Sequence, residues 1–433
     1  DLWHGPLDQE SRRAIFAALR IEFTLGLVLL AVCVGLLTTR PVSLRPARLV
    51  LIGIGLLFVA MLVQLPFAAA KDLAHDVFVD HVIKYAFLAL FMTVLIQSPR
   101  YLRWFLFAFL FSCLYVTQES VQGLISGGLV WQNQGVMRLH GAVPIYQHPN
   151  SLAGVAMGGI PFVVFLFPVW RQWWLRLALL ALLGTSTICV LYTGSRTGYL
   201  AFLAFLLFWW AQVKRKGRWL AVAAVVGAVV ITFIPQQYKD RFASITGQAA
   251  EGRSKESRIQ ILEDAIVIFL ENPAGVGVAS FPYVRMQKFG RNQDTHNLYL
   301  EVATNLGVQG LIIFFFLVGS MFAAYRRAHR ALSRQRQVLV SWKRTRTIPR
   351  ALQKAMARHD EDLAFMQAAT TASAGFIFVR LVLGLFGMDL YEIYWWFGAG
   401  MAISILNLTV ATGSNTARLV ARAEETASAV TVC

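Results

Sequence analysis

Eleven apolar runs, each long enough to cross roughly 30 Å of hydrocarbon as a helix, decide what this chain can become. They lie at about 14–37, 49–68, 77–97, 104–125, 151–168, 174–193, 198–213, 219–234, 297–325, 363–386 and 391–411. Backbone placed in lipid must satisfy its own polar groups, and helices do so within a single segment. Composition agrees, with 57% hydrophobic and 15% charged residues over 433 positions, against a quarter charged in soluble domains. The fold class expected is an all-α integral membrane protein, a multi-span helical bundle.

Orientation follows from where the basic residues fall. Alternating spans place 38–48, 98–103, 169–176, 214–218, 326–358 and the tail from 413 on one side, with 24 of the 40 Lys and Arg. Residues 1–13, 69–76, 126–150, 194–197, 235–296 and 387–390 lie on the other, which is longer in total yet holds 13. By the positive-inside rule the first set is cytoplasmic. Asp1 then lies outside, so a full protein with a cytoplasmic N-terminus is expected to have twelve spans.

Three segments result: N-terminal transmembrane helices in 1–234, one large outer loop at 235–296, and C-terminal transmembrane helices in 297–433 that include the basic stretch 326–358, broken at Pro349. In the loop, Ile259, Leu262, Ile266 and Phe269 share one helical face, which predicts an amphipathic helix on or between the spans. The net charge of +17 concentrates beside apolar runs, where anionic headgroups account for it, so membrane lipids and no nucleic acid are the expected partners. Cys33, Cys113, Cys189 and Cys433 show no C-x-x-C spacing and no nearby histidine cluster, so neither a disulfide framework nor a zinc site is indicated.

Three outer motifs carry more polar groups than their position requires: "YTGSRTGY" (192–199), "SRIQILEDA…ENPAGVGVASF" (257–281) and "DTHNLYLEVATNLGVQG" (294–310). In the first, Gly194, Ser195 and Gly198 surround Arg196 in a short turn between spans. A phosphate would find charge and open N–H groups there; snorkelling to headgroups is the alternative.

In the second, Ser257 and Gln260 match a capping box, which would make Arg258 the first helical residue. A cation there opposes the helix dipole unless an anion or a carboxylate meets it. Pro273, Gly275 and Gly277 read as shape-setting. In the third, Asp294 or Thr295 is expected to cap a helix with His296 in its first turn beside Asn297. Histidine titrates near neutrality and can take a proton from a hydroxyl; a hydrogen bond to a neighbouring loop is the plainer role.

"MRLHGAVPIYQHPNSLAG" (137–154) adds Arg138, His140, Gln147, His148 and Asn150, with Asn150 or Ser151 expected to cap the following span. Lys84, Glu119 and Arg380 fall inside spans and must face the bundle or water; Glu119 paired with Arg380 or Lys84 is the structural reading. Two arginines and a histidine, with no Asp-x-Asp or His/Cys cluster, point to transfer without metal or cofactor from a donor that carries a diphosphate leaving group. A transporter would instead show repeat symmetry and polar, broken helices at mid-membrane.

"TGSRTG", "NPAGVGVASF" and "THNLYLE…NLGVQGL", in this order and on one side, resemble the bacterial O-antigen ligase and polymerase superfamily over roughly 180–320. The resemblance implies a GT-C-like, metal-independent glycosyltransferase acting at the periplasmic face of the inner membrane. Its donor would be a glycan on undecaprenyl diphosphate and its acceptor, for a ligase, lipid A-core, with inversion at the anomeric carbon. It assigns catalysis to His296 and diphosphate binding to Arg196 and Arg258; Asn297, Ser195, Arg138 and His148 are supporting candidates by their position beside these motifs. Polymerases tend to carry R-x10-G in two loops. Here the pattern occurs once, Arg241 to Gly252, which favours a ligase; protein O-oligosaccharyltransferases share the donor, the histidine motif and a stretch like "QHPN" (147–150).

Overall fold

The computed structural model describes residues 21–39, 44–133, 136–218, 235–243, 252–345 and 349–432, together with 221, 224 and 232. Among the described residues, helices occupy the apolar runs. They are α1 (Ile21–Thr39), α2 (Arg48–Gln64), α3 (Lys71–Leu95, with a π-helical stretch at Phe78–Ile83), α4 (Pro99–Ser126), α5 (Pro149–Leu166), α6 (Trp173–Tyr192) and α7 (Arg196–Gln212). Then come α8 (Gln236–Ala243), α9 (Gly252–Glu271), α10 (Phe281–Phe289), α11 (Leu298–Thr345), α12 (Arg350–Leu383) and α13 (Ile393–Val432). Eight of the described helices are long and apolar enough to cross a membrane; the run expected at 219–234 lies outside the described residues. The protein is an all-α, multi-span membrane protein.

Burial sorts the helices into two layers. The apolar windows of α5, α12 and α13 are 72, 61 and 78% buried, whereas those of α2, α3, α4 and α6 are 28–33% buried and turn most of their apolar surface to lipid. At the centre, α12 packs on α5, α7, α11 and α13, around interlocked Phe109, Phe162, Phe376 and Phe397 rings.

The buried Arg380 on α12 does not pair with Glu119. Its Nη2 donates to the Gly154 carbonyl (2.9 Å), its guanidinium lies 3.3 Å over the Tyr394 ring, and Nη1 stands 4.0 Å from Asp389. Lys84 pairs with Asp80 (2.7 Å) instead. The glycines decide this outcome: side chains at Gly154 and Gly158 would stand 3.3 and 3.2 Å from the guanidinium, so their absence opens the groove that admits it.

The third motif breaks its own helix. Gly307 (φ 73°, ψ −169°) interrupts α11, and the freed backbone pairs with the second motif: Val276 N–H donates to Thr304 O (2.8 Å), Gly277 N–H to Asn305 O (3.0 Å) and Val308 N–H to Pro273 O (2.9 Å). Asn305 Oδ1 then accepts the Ser280 and Phe281 N–H groups (3.1 and 3.0 Å) at the start of α10. Gly277 has φ +99° and its missing Cβ would sit 2.2 Å from the Ala68 Cα, so backbone touches backbone where the loop crosses the α2–α3 connection. Gly277→Ala is expected to destabilise the protein by about 2–5 kcal/mol, through overpacking and an unfavourable φ together, read as a lowered midpoint of thermal unfolding in detergent.

Candidate functional site

The three motifs and the 137–154 stretch meet at one end of the bundle, where α4, α6 and α12 end and α5, α7, α11 and α13 begin. There a short antiparallel hairpin, β1 (Val130–Asn133) and β2 (Val136–Leu139), follows α4. No hairpin was expected; its strands are four residues each and carry only a weak alternating pattern.

Arg138, on β2, is 1% exposed. Its Nε donates to Thr193 O (2.6 Å) in the Arg196 turn, and one Nη donates to Asn150 Oδ1 (3.0 Å) in the first turn of α5. One guanidinium therefore holds hairpin, turn and helix together, which makes Arg138 a positioning residue. In the turn, Ser195 Oγ accepts the Gly198 N–H (3.2 Å) as the cap of α7, so Arg196 is the first residue of that helix and half-buried. Gly198 allows α7 to meet α5, since a Cβ would stand 3.0 Å from Ala153 Cβ.

Two caps differ from expectation. His148, rather than Asn150 or Ser151, caps α5: its Nδ1 accepts the Asn150 N–H (3.2 Å), because the Asn150 side chain is already taken by Arg138. With Nδ1 accepting, the neutral ring carries its proton on Nε2. Asn297, rather than Asp294 or Thr295, caps α11, its Oδ1 accepting the Tyr299 and Leu300 N–H groups (3.0 and 3.1 Å). Asp294 instead accepts the Thr295 N–H (2.7 Å), and the Thr295 hydroxyl donates to Asn297 O (3.0 Å).

His296 is thus outside the helix. It sits at φ +47°, a left-handed conformation costly for a residue with a Cβ. The ring is reachable from solvent, yet surrounding protein lowers its pKa below the usual value by burial. Asp294 opposes that shift, while Arg258 and Arg285 add to it. His148 is lowered as well, first by burial, then by Arg138, His140 and His296. These mutual effects place His296, His148, Arg258, Arg285 and Asp294 in one electrostatic neighbourhood, to which Arg138 ties the backbone of the turn that carries Arg196.

Arg258 is not the first residue of its helix. α9 begins at Gly252, so Arg258 lies in its second turn, half-buried, and Ser257 cannot cap it. Of the amphipathic stripe, Phe269 is half-buried and the other three residues are exposed. Ile259, Leu262 and Ile266 are 43–45% exposed, while Ile261, Asp264, Ala265 and Ile268 face the protein. The stripe read from periodicity is thus mostly on the outer face of α9.

Asp264 is the polar residue on that inner face. It accepts from Arg285 Nε (2.9 Å) and Arg291 Nη1 (3.2 Å), and Arg285 is 1% exposed. Arg285 Nη1 also reaches the Gln293 carbonyl (3.4 Å), which fixes the backbone leading to His296. The sequence held a signal for this pair: Arg285 lies four residues after the buried Phe281, on the same helical face. Asp264→Ala leaves Arg285 charged and buried without its partner, so a loss of about 3–5 kcal/mol in stability is expected, measured by thermal unfolding.

A third charged group surrounds Arg380. Asp389 and Glu392, on the loop before α13, have pKa values raised first by burial. Glu301, in the first turn of α11, is 4% exposed and accepts the Leu390 N–H (3.0 Å), tying that loop to the His296 motif. Among the described residues, no three His, Cys, Asp or Glu are grouped to hold a metal. The arrangement offers an exposed imidazole on a strained backbone whose protonated form is disfavoured, with guanidinium groups near enough to contribute to that shift.

Comparison with known families agrees with the motif reading. Residues 178–315 match the family model described as O-antigen ligase, a stretch that contains all three motifs. The match supports a member of the O-antigen ligase and polymerase superfamily, whose members are glycosyltransferase-like enzymes of lipopolysaccharide biosynthesis. No curated protein matches the chain.

Proposed function

From that family relationship, we infer that the protein is an O-antigen ligase acting at the periplasmic face of the bacterial inner membrane. Polysaccharide would pass from undecaprenyl diphosphate to a sugar hydroxyl of lipid A-core. The hydroxyl oxygen attacks the anomeric carbon as the bond from that carbon to the diphosphate oxygen breaks, inverting the centre. His296 takes the hydroxyl proton, and Arg258 with Arg196 stabilises the charge gathering on the departing diphosphate.

The observation that carries this reading is the state of His296. Its ring is outside the helix and open to an acceptor, and its pKa is lowered because burial and the two arginines, against Asp294, disfavour the imidazolium. A general base must start unprotonated, so the shift has the required sign. With leaving-group charge met by guanidinium groups, no divalent ion has a necessary role. Full transfer in EDTA is the expected result, and strict dependence on an added divalent ion would refute that part of the mechanism.

The reaction is tested by a lipopolysaccharide gel of a strain lacking the gene. Core without polymer, with lipid-linked polymer still accumulating, is the result expected of a ligase. Core bearing a single repeat would assign the protein to polymerases, and unchanged lipopolysaccharide with under-glycosylated proteins to protein O-oligosaccharyltransferases.

A further inference from the structure

At the opposite end of the bundle, a cavity of about 450 Å³ opens between α7, α11 and α12, a volume within the range of small-molecule sites. Phe208, Phe322 and Tyr325 form its aromatic floor, and Arg326 and Arg330 line it one helical turn apart. His329, between them, is committed to the wall: Gln367 donates to its Nε2 (3.2 Å) and its Nδ1 meets the Thr371 hydroxyl (3.3 Å).

Charge accounting around this cavity leaves a gap. The three consecutive carboxylates of α12 are each engaged elsewhere, Asp360 by Arg336 (3.0 Å), Glu361 by Arg171 (2.9 Å) and Asp362 by Arg103 (2.7 Å). Among the described residues, Arg326 and Arg330 form no ion pair, although both are exposed beside the cavity. Nearby α7 ends at Gln212 and leads into "KRKGR" (214–218), which adds four positive charges.

Depth identifies the kind of anion. The apolar part of α11 ends at Tyr325 and its basic part starts at Arg326, so the two guanidinium groups sit where hydrocarbon gives way to headgroups. An occupant there meets positive charge at one end and phenyl rings at the other. We propose that the cavity between α7, α11 and α12 binds an anionic glycerophospholipid of the cytoplasmic leaflet, its headgroup phosphate held by Arg326 and Arg330 and an acyl chain lying over Phe208 and Phe322. Basic pockets between spans on this side of a membrane bind such headgroups.

The test is native mass spectrometry of the full protein released from detergent with chain-matched phosphatidylglycerol or phosphatidylethanolamine. Wild type is expected to retain phosphatidylglycerol in preference, and R326A/R330A to bind it about 10-fold more weakly or worse. R350A/R358A removes two exposed charges from the same end of α12 and is expected to keep wild-type retention. A374F, which fills the apolar part of the cavity without altering charge, is expected to lower retention too. Equal losses in R326A/R330A and R350A/R358A, or no preference for the anionic lipid, would overturn the proposal. Equal binding of glycerol 3-phosphate, which lacks acyl chains, would do so as well, by assigning the cavity to a soluble phosphate ester.

Discussion

His296→Ala is expected to lower transfer by about 10²–10⁴-fold, the usual worth of a positioned general base, while the protein still inserts and unfolds at its normal temperature. Loss of the ring removes neither a cap nor a core contact, since Asn297 caps α11 and His296 stands exposed. Relief of the left-handed strain is even expected for His296→Gly, so that variant should be no less stable and equally inactive. Transfer is measured with lipid-linked glycan and lipid A-core in detergent; undiminished activity would remove His296 from the mechanism. The pH dependence supplies a second readout. A base must be neutral to act, and the His296 pKa is lowered, so kcat/KM should stay level at neutral pH and fall only as pH drops through a value below the ordinary ~6.5.

Arg258→Ala is the second large effect, about 10²–10³-fold in kcat if its charge meets the leaving diphosphate in the transition state. It also moves the pH profile in a direction that a merely structural role does not explain. Arg258 disfavours the imidazolium, so its removal raises the His296 pKa and shifts the acid limb to higher pH. Asp294 acts in the opposite sense, so Asp294→Asn should shift the limb to lower pH. Unchanged donor affinity and an unmoved limb in Arg258→Ala would together withdraw its phosphate role.

Architecture was legible because lipid allows few answers. Among the described residues the apolar runs are helical, α11, α12 and α13 reaching well beyond their apolar parts, and the basic stretch 326–358 became a helical extension to Thr345 and a new start at Arg350 after Pro349. Local capping was less legible, because the cap at a helix start depends on which polar side chain is free. Arg138 takes Asn150 from across the hairpin and leaves the cap to His148, a contact twelve residues apart that no local rule contains. Which face of α9 meets protein was left open by the sequence for a related reason. Period alone cannot say which of two apolar stripes meets protein, and the deciding feature was Asp264, whose partner Arg285 lies on the next helix.

The motifs themselves were visible, but not their joint geometry. Glycines in "NPAGVGVASF" were read as shape-setting, and the structure shows the shape: a turn with Gly275 and Gly277 at positive φ, hydrogen-bonded to the broken part of α11. Arg380 was assigned a carboxylate within the spans and found a carbonyl, an aromatic ring and a loop aspartate instead. Glycine spacing on α5 was the available clue, since Gly154 and Gly158 lie four apart and open one groove.

The interruption at Gly307 has a kinetic consequence. Residues 298–306 exchange backbone bonds with 273–277 rather than continuing one uninterrupted α-helical ladder into the rest of α11, so the two stretches should open and close as a cooperative unit. Amide deuteration would then report matching protection across 298–306 and 276–277, distinct from the slower exchange of 311–325 in the bundle. His296 lies two residues before that unit, so an opening would move the backbone from which the imidazole is presented.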